Sequence, residues 1–226
     1  MYTTVLLDAG GVILYETLYE ADSCRIITKI LSKQYNWYSE ESYWADLNES
    51  INVYSPHNRQ YIFWKYSKDD KDTFMKYWHE FTSEWNSIKH ELKMMVGIKD
   101  QINELKNKYK IVLAGQYGFE IIDFLGKQGI LNQFENNLSQ DNFEITKPDP
   151  RYLVQICESA HVLCNECIMV GDRIDKDIIP AKQNNIRTVF VKTGVYKNQK
   201  PRTMDEIPDI KLESIDNLAN EIEKIV

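Results

Sequence analysis

The feature that most constrains this chain is the segregation of its aromatic residues. All five tryptophans (Trp37, Trp44, Trp64, Trp78 and Trp85) fall within residues 15–90, together with most of the tyrosines. That stretch contains no glycine, and its only proline is Pro56. Apolar residues recur there every three or four positions, which predicts helices over 18–35, 39–53, 59–66 and 69–90. The aromatic stripe reads as the core of this helical block rather than as a ligand-stacking surface.

Beyond residue 92 the pattern changes. Short apolar runs at 111–114, 168–170 and 188–191 predict buried strands, and 97–109, 119–128, 151–161 and 175–184 predict helices between them. Residues 4–7 form one more run of the strand kind, ahead of the helical block. Residues 213–226 predict an amphipathic closing helix. Strands alternating with helices imply βαβ units and a mostly parallel sheet. The expected fold is α/β: a three-layer, Rossmann-like parallel sheet core built from residues 1–14 and 92–226, with an α-helical domain, 15–91, inserted after the first strand.

Composition narrows the function. Of 226 residues, 43% are hydrophobic, enough for a packed core. A formal net charge of -7 argues against nucleic acid as a partner, since phosphates call for basic surface. No run of about 18 apolar residues is present, so no membrane-spanning helix is expected. The apolar stretch 5–14 lacks a basic flank and is broken by Asp8 and two glycines, unlike a signal peptide. Four cysteines in a chain of this length do not make a disulfide scaffold, and a cytoplasmic location is the expectation.

In open α/β sheets the ligand sits at the carboxyl ends of the strands, so the residues that follow each strand matter most. The first strand runs into Asp8-Ala9-Gly10-Gly11-Val12, and the second into Ala114-Gly115-Gln116. Thr146-Lys147-Pro148-Asp149-Pro150 precedes a helix, and a later strand ends in Gly171-Asp172-Arg173-Ile174-Asp175-Lys176-Asp177. Each fragment alone has a bland reading: a turn aspartate, an ordinary proline turn, a solvated helix start. In order, they bring carboxylates and one lysine to a single rim. That is an inventory for magnesium and phosphate, because Mg²⁺ takes carboxylate and phosphate oxygens and lysine supplies a point charge.

D-x-x-G-V after the first strand, K-P-D-P, and G-D-x-x-x-x-D after a later strand resemble the haloacid dehalogenase-like hydrolase superfamily. The inserted helices are similar to that superfamily's helical cap, and V-K-T-G with K-P-R-T-M-D-E-I-P-D is similar to its phosphatase-type members. The resemblance covers the whole chain. It implies a Mg²⁺-dependent phosphatase of small phosphorylated molecules, with Asp8 forming an aspartyl-phosphate. It further implies that Asp8, the Gly10 carbonyl and Asp172 hold the metal while Asp177 orients the metal shell. Lys147 would stabilise the phosphoryl group; apart from the resemblance, the Gly115 N–H and an inward-pointing Gln116 amide, after the second strand, are candidate donors to phosphate. The family's dehalogenases lack the acidic fourth motif, which makes a dehalogenase the lesser reading.

Two positions depart from the family pattern. Its phosphatases carry a second aspartate, the general acid and base, where this chain has Gly10. They carry a serine or threonine where this chain has Ala114. The alternative is therefore a catalytically impaired protein on the same fold that binds a phosphorylated ligand or protein partner. Cys164-Asn165-Glu166-Cys167, with Cys157 upstream, reads as small buried thiols rather than a zinc site, which would need a second pair or nearby histidines. His57, His79 and His90 read as surface or cap residues. Arg173 is open between a substrate contact and a solvated helix start.

Overall fold

The computed structural model describes residues 1–88, 91–136 and 140–224. His90, at the expected end of the fourth helix, and residues 225 and 226 of the closing helix lie outside them. Five strands, β1 (Thr4–Leu7), β2 (Lys110–Leu113), β3 (Cys167–Gly171), β4 (Arg187–Val191) and β5 (Ile210–Leu212), form one sheet in the order β2-β1-β3-β4-β5. All its pairings are parallel. Helices α1 (Thr17–Ser32), α2 (Glu40–Asn52), α3 (Asn58–Ser67) and α4 (Lys71–Ser87) lie between β1 and β2 in the chain. Helices α5 (Ile98–Lys106), α6 (Phe119–Lys127), α7 (Arg151–Ser159), α8 (Ile179–Gln183) and α9 (Leu218–Glu223) accompany the later strands.

Strands β1 and β3 are buried at every position, which requires helices on both faces of the sheet. On one face Val5, Leu7, Ile168 and Val170 pack with residues of α5, α6 and α9. On the other, Leu6, Val112 and Met169 pack with Tyr152, Leu153 and Ile156 of α7 and Ala181 of α8. The result is three layers around a central β1–β3 pair. The order 2-1-3-4-5 reverses direction at that pair, which is where such sheets open a crevice.

The chain divides into two compact units, Met1–Tyr15 with Leu92–Val226, and Glu16–Glu91. In the helical unit Ser39 and Ser42 cap α2 reciprocally, and the Asp70 carboxylate accepts from the Thr73 N–H at 2.9 Å to start α4. Its core is aromatic, as expected, but the tryptophans are not its most buried members. Tyr43, Phe63, Tyr77 and Phe81 are buried, whereas Trp37, Trp44 and Trp64 keep 60%, 38% and 44% of their surface. Phenyl rings fit between helices packed 8–10 Å apart more readily than indoles do.

Two other expectations change. Residues 175–184 are not one helix: Ile174–Ile178 make a π-helical turn, and α8 follows it. The closing helix is shorter than 213–226, and Ile210–Leu212, with only three residues, forms the edge strand β5. A run that short leaves too few residues for an alternation pattern to show.

Candidate active site

Four of the expected residues meet at the carboxyl end of the β1–β3 pair. Asp8 leaves β1 with its N–H still donating to the Val170 carbonyl at 2.9 Å, so its position is fixed by the ladder. Beyond it the chain curls tightly, and the Ile13 and Leu14 N–H groups both donate to the Ala9 carbonyl. Asp172 leaves β3 on the neighbouring strand. Carboxylate oxygens of Asp8, Asp172 and Asp177 lie within 4.8 Å of one another.

Two glycines make this crowding possible. Gly11 has φ 64°, and a Cβ there would fall on the Asp172 carboxylate. A Cβ at Gly171 would fall on the Asp177 side chain. The π-helical turn matters too. Its wider winding returns Asp177 to the strand end, where its carboxylate accepts from the Arg173 N–H at 3.0 Å.

Lys147 reaches the cluster from the loop before α7. Its ammonium donates to Asp8 Oδ1 at 2.6 Å and to Asp177 Oδ1 at 2.5 Å, and its side chain is 2% exposed. Burial alone would push the ammonium down, but the charges of Asp177 and Asp8 outweigh it and hold its pKa above the ordinary lysine range. The lysine therefore stays charged. The Lys147–Pro148 peptide is cis.

The remaining expected residues are placed as follows. Gly10 stands in the turn directly after Asp8 and Ala9 and bears no side chain. Ala114 presents a methyl group, and its N–H continues the ladder to the Leu7 carbonyl. Gly115 packs on Ala9, and its carbonyl accepts the Tyr152 hydroxyl at 2.9 Å. Gln116 turns its amide to the Lys147 carbonyl at 3.4 Å, a weak bond. Arg173 is not a solvated helix-start residue. Its guanidinium is 13% exposed, donates to both Asp175 oxygens at 3.2 and 2.6 Å, and donates to the Tyr196 hydroxyl at 2.9 Å. Asp175, Tyr196, Thr193 and Gln199 were not singled out by the sequence. Only the V-K-T-G run hinted at Thr193.

The donor set fits a hard cation. Three carboxylates supply oxygen alone, which suits Mg²⁺ and not a thiolate-seeking metal. Among the described residues this is the single cluster of three or more metal-ligating side chains. The cysteines lie elsewhere. Cys157 and Cys167 sulfurs are 3.9 Å apart and buried, while Cys164 is partly exposed. The contact with Cys167, then burial, pushes the Cys157 thiol up, and burial pushes Cys164 up to about 12. His57, at the residue preceding α3, and His79, on α4, are both exposed. No described helix is long and apolar enough to cross a membrane.

The chain is similar to known proteins. Residues 17–191 match the family described as haloacid dehalogenase-like hydrolase, a match that begins after the Asp8 turn. Glyceraldehyde 3-phosphate phosphatase of Methanopyrus kandleri is 28% identical over 113 residues, 50% of this chain and 48% of that protein. The Pyrococcus furiosus protein of the same name is 32% identical over 102 residues, 45% of this chain and 37% of its own length. The matched stretch thus spans about half of these curated relatives or less. A haloacid dehalogenase-like protein of Agrobacterium tumefaciens superposes with a TM-score of 0.70 at 14% identity, covering 100% of this chain and 99% of that one. A Bacillus subtilis hydrolase of the same type, solved bound to magnesium, gives 0.62 at 15% identity, covering 98% of each chain. At such identity these two structures speak for the fold. With the family match spanning most of its length, the chain belongs to the haloacid dehalogenase-like hydrolases.

Proposed function

We propose that the protein is a Mg²⁺-dependent phosphatase of small phosphorylated molecules, with Asp8 as its nucleophile. The observation that carries this reading is the buried Asp8–Lys147–Asp177 chain of ion pairs beside Asp172 at the strand ends. The named activity of the curated relatives supports it and makes glyceraldehyde 3-phosphate the first ester to test.

Lys147 pairs with Asp8 and places a fixed positive charge where the phosphoryl oxygens would lie. An Asp8 oxygen attacks phosphorus, and the bond from phosphorus to the leaving oxygen breaks with its electron pair. That oxygen takes a proton from water. Water then attacks the aspartyl-phosphate, releasing inorganic phosphate and restoring the Asp8 carboxylate. The Gly115 N–H and the Gln116 amide donate to the phosphoryl oxygens, Gln116 after giving up its weak bond to Lys147. Asp8, the Gly10 carbonyl and Asp172 would hold Mg²⁺, which supplies positive charge beside the transferring group when bound. Asp177, bonded to Lys147 and the Arg173 peptide, orients the set.

A second reading, a phosphate-binding protein with impaired chemistry, is favoured by Gly10 and Ala114. Losing a positioned acid–base group costs roughly 10²–10⁴ in rate, and losing one oxyanion donor roughly 10²–10³. Enzymatic acceleration of phosphate monoester hydrolysis reaches about 10²¹, so measurable turnover survives both losses. A panel of phosphate esters assayed with Mg²⁺, against Asp8→Asn as the blank, separates the readings. Turnover above the blank supports the phosphatase. Rates equal to the blank on every ester support the binder.

A further inference from the structure

We propose that Thr193, Tyr196 and Gln199, on the segment following β4, are positioning residues that join the two acid-bearing loops of the site and set its affinity for Mg²⁺. This rests on the phosphatase reading above. The segment carries no reacting group, yet it bonds to both loops. The Thr193 hydroxyl donates to the Gly11 carbonyl at 2.6 Å, fixing the peptide that follows Gly10 in the Asp8 turn. Gln199, 4% exposed, accepts from the Ile174 N–H at 2.7 Å and donates to Asp175 Oδ1 at 2.8 Å, both in the loop that carries Asp172 and Asp177. Tyr196 closes the circuit. Its hydroxyl accepts from Arg173, whose guanidinium carbon lies 4.3 Å from the centre of the Tyr196 ring. Asp175 is then held from two sides, by Arg173 and Gln199.

The physical consequence concerns the spacing of the carboxylates. A hard cation is held by oxygen donors at fixed separation, and groups behind the donors set that separation. Asp8 and Asp172 leave adjacent strands, but past the strand ends no ladder holds their loops in register. A single seven-residue segment bonded to both loops supplies that restraint. Gln199 also satisfies an otherwise unpaired N–H at the start of the π-helical turn, so removing its amide frees the turn as well as Asp175.

The test measures Mg²⁺ binding by calorimetry in Thr193→Val, Thr193→Ser and Gln199→Leu. Thr188→Val serves as control, because it deletes a hydroxyl from β4, one that donates to Asp209 at 2.7 Å away from the site. Thr193→Val and Gln199→Leu are expected to lose roughly 10–100-fold in affinity, the usual cost of removing a group behind a metal ligand. Thr193→Ser should restore the wild-type value, and Thr188→Val should leave it unchanged. Wild-type affinity in folded Thr193→Val and Gln199→Leu would overturn the proposal and leave the phosphatase reading standing. A wild-type protein that binds no Mg²⁺ would overturn both. If Gln199→Leu does not fold, the Thr193→Val and Thr193→Ser pair decides alone.

Discussion

Lys147 sits between two carboxylates with almost no water to share the charge, and this decides what its removal does. Lys147→Met would leave Asp8 and Asp177 buried without their cation. Breaking a buried pair in this way costs about 3–5 kcal/mol, and urea denaturation of the variant is expected to show a loss of that order. Gly10 raises the opposite question, of a group that is missing. With no acid there, phosphates of acidic leaving groups such as aryl phosphates should react far faster than alkyl esters. Gly10→Asp should speed alkyl-ester hydrolysis by roughly 10²-fold, and the positive φ of the turn falls on the next residue, Gly11. Equal alkyl and aryl rates in the wild type would show that another group supplies the proton. Asp8, Asp172 and Asp177 were legible in the sequence because each stands at a fixed offset from a strand end, and Lys147 because Lys147-Pro148-Asp149-Pro150 leads into a helix. Arg173, Asp175 and Gln199 were not, since their partners are each other across a loop and no spacing announces them.

The helical unit shows what periodicity reveals and what it conceals. The four helices were readable from their three-to-four-residue recurrence. Which aromatic ring goes inside was not, because burial depends on the width of the gap each ring must fill. Tyr43 is fully buried, and its hydroxyl donates to Glu20 at 2.8 Å; Tyr38 donates to Asp46 at 3.0 Å. Burial first, then the neighbouring carboxylate, pushes both phenols well above the ordinary tyrosine value. Above pH 10 the unfolded phenols lose their protons while the folded ones keep theirs. Their stabilisation is therefore complete below pH 10 and falls as pH rises beyond it. For Tyr43 the slope is about 1.4 kcal/mol per pH unit. Urea midpoints measured at pH 9, 10 and 11 should fall in the wild type and fall less steeply in Tyr43→Phe, with Tyr38 supplying the remaining slope. The turn at Ile174–Ile178 was hidden for a different reason: a π-helical winding and the start of an α-helix share one hydrophobic pattern.

For the molecule as a whole, the metal should act as a stabilising ligand. A ligand that binds only the folded state adds about 2.7 kcal/mol at a concentration of 100 Kd, so Mg²⁺ should raise Tm and a chelator should reverse the rise. Asp172→Asn should abolish the rise, and Asp177→Asn should only reduce it, because both Asp177 oxygens already serve Lys147 and the Arg173 N–H. Scanning calorimetry showing the reverse order would exchange the two roles. The α/β class was legible from the alternation of strands and helices, but the strand order was not, since pairing between distant runs leaves no local trace.

That strand order has a consequence for how the chain is made. β1 is an interior strand, and its neighbours are Lys110–Leu113 on one side and Cys167–Gly171 on the other. During synthesis the first strand emerges long before either partner, and the whole helical block is translated in between. That block is continuous in sequence and makes a compact unit of its own, so it can collapse before the sheet is complete. The ribosome therefore delivers a collapsible bundle first, while the apolar strand β1 waits unpaired through some hundred further residues. At 5–20 residues per second the wait lasts roughly 5–20 seconds. Throughout it β1 is a ready target for a chaperone, or for the same strand on a neighbouring nascent chain.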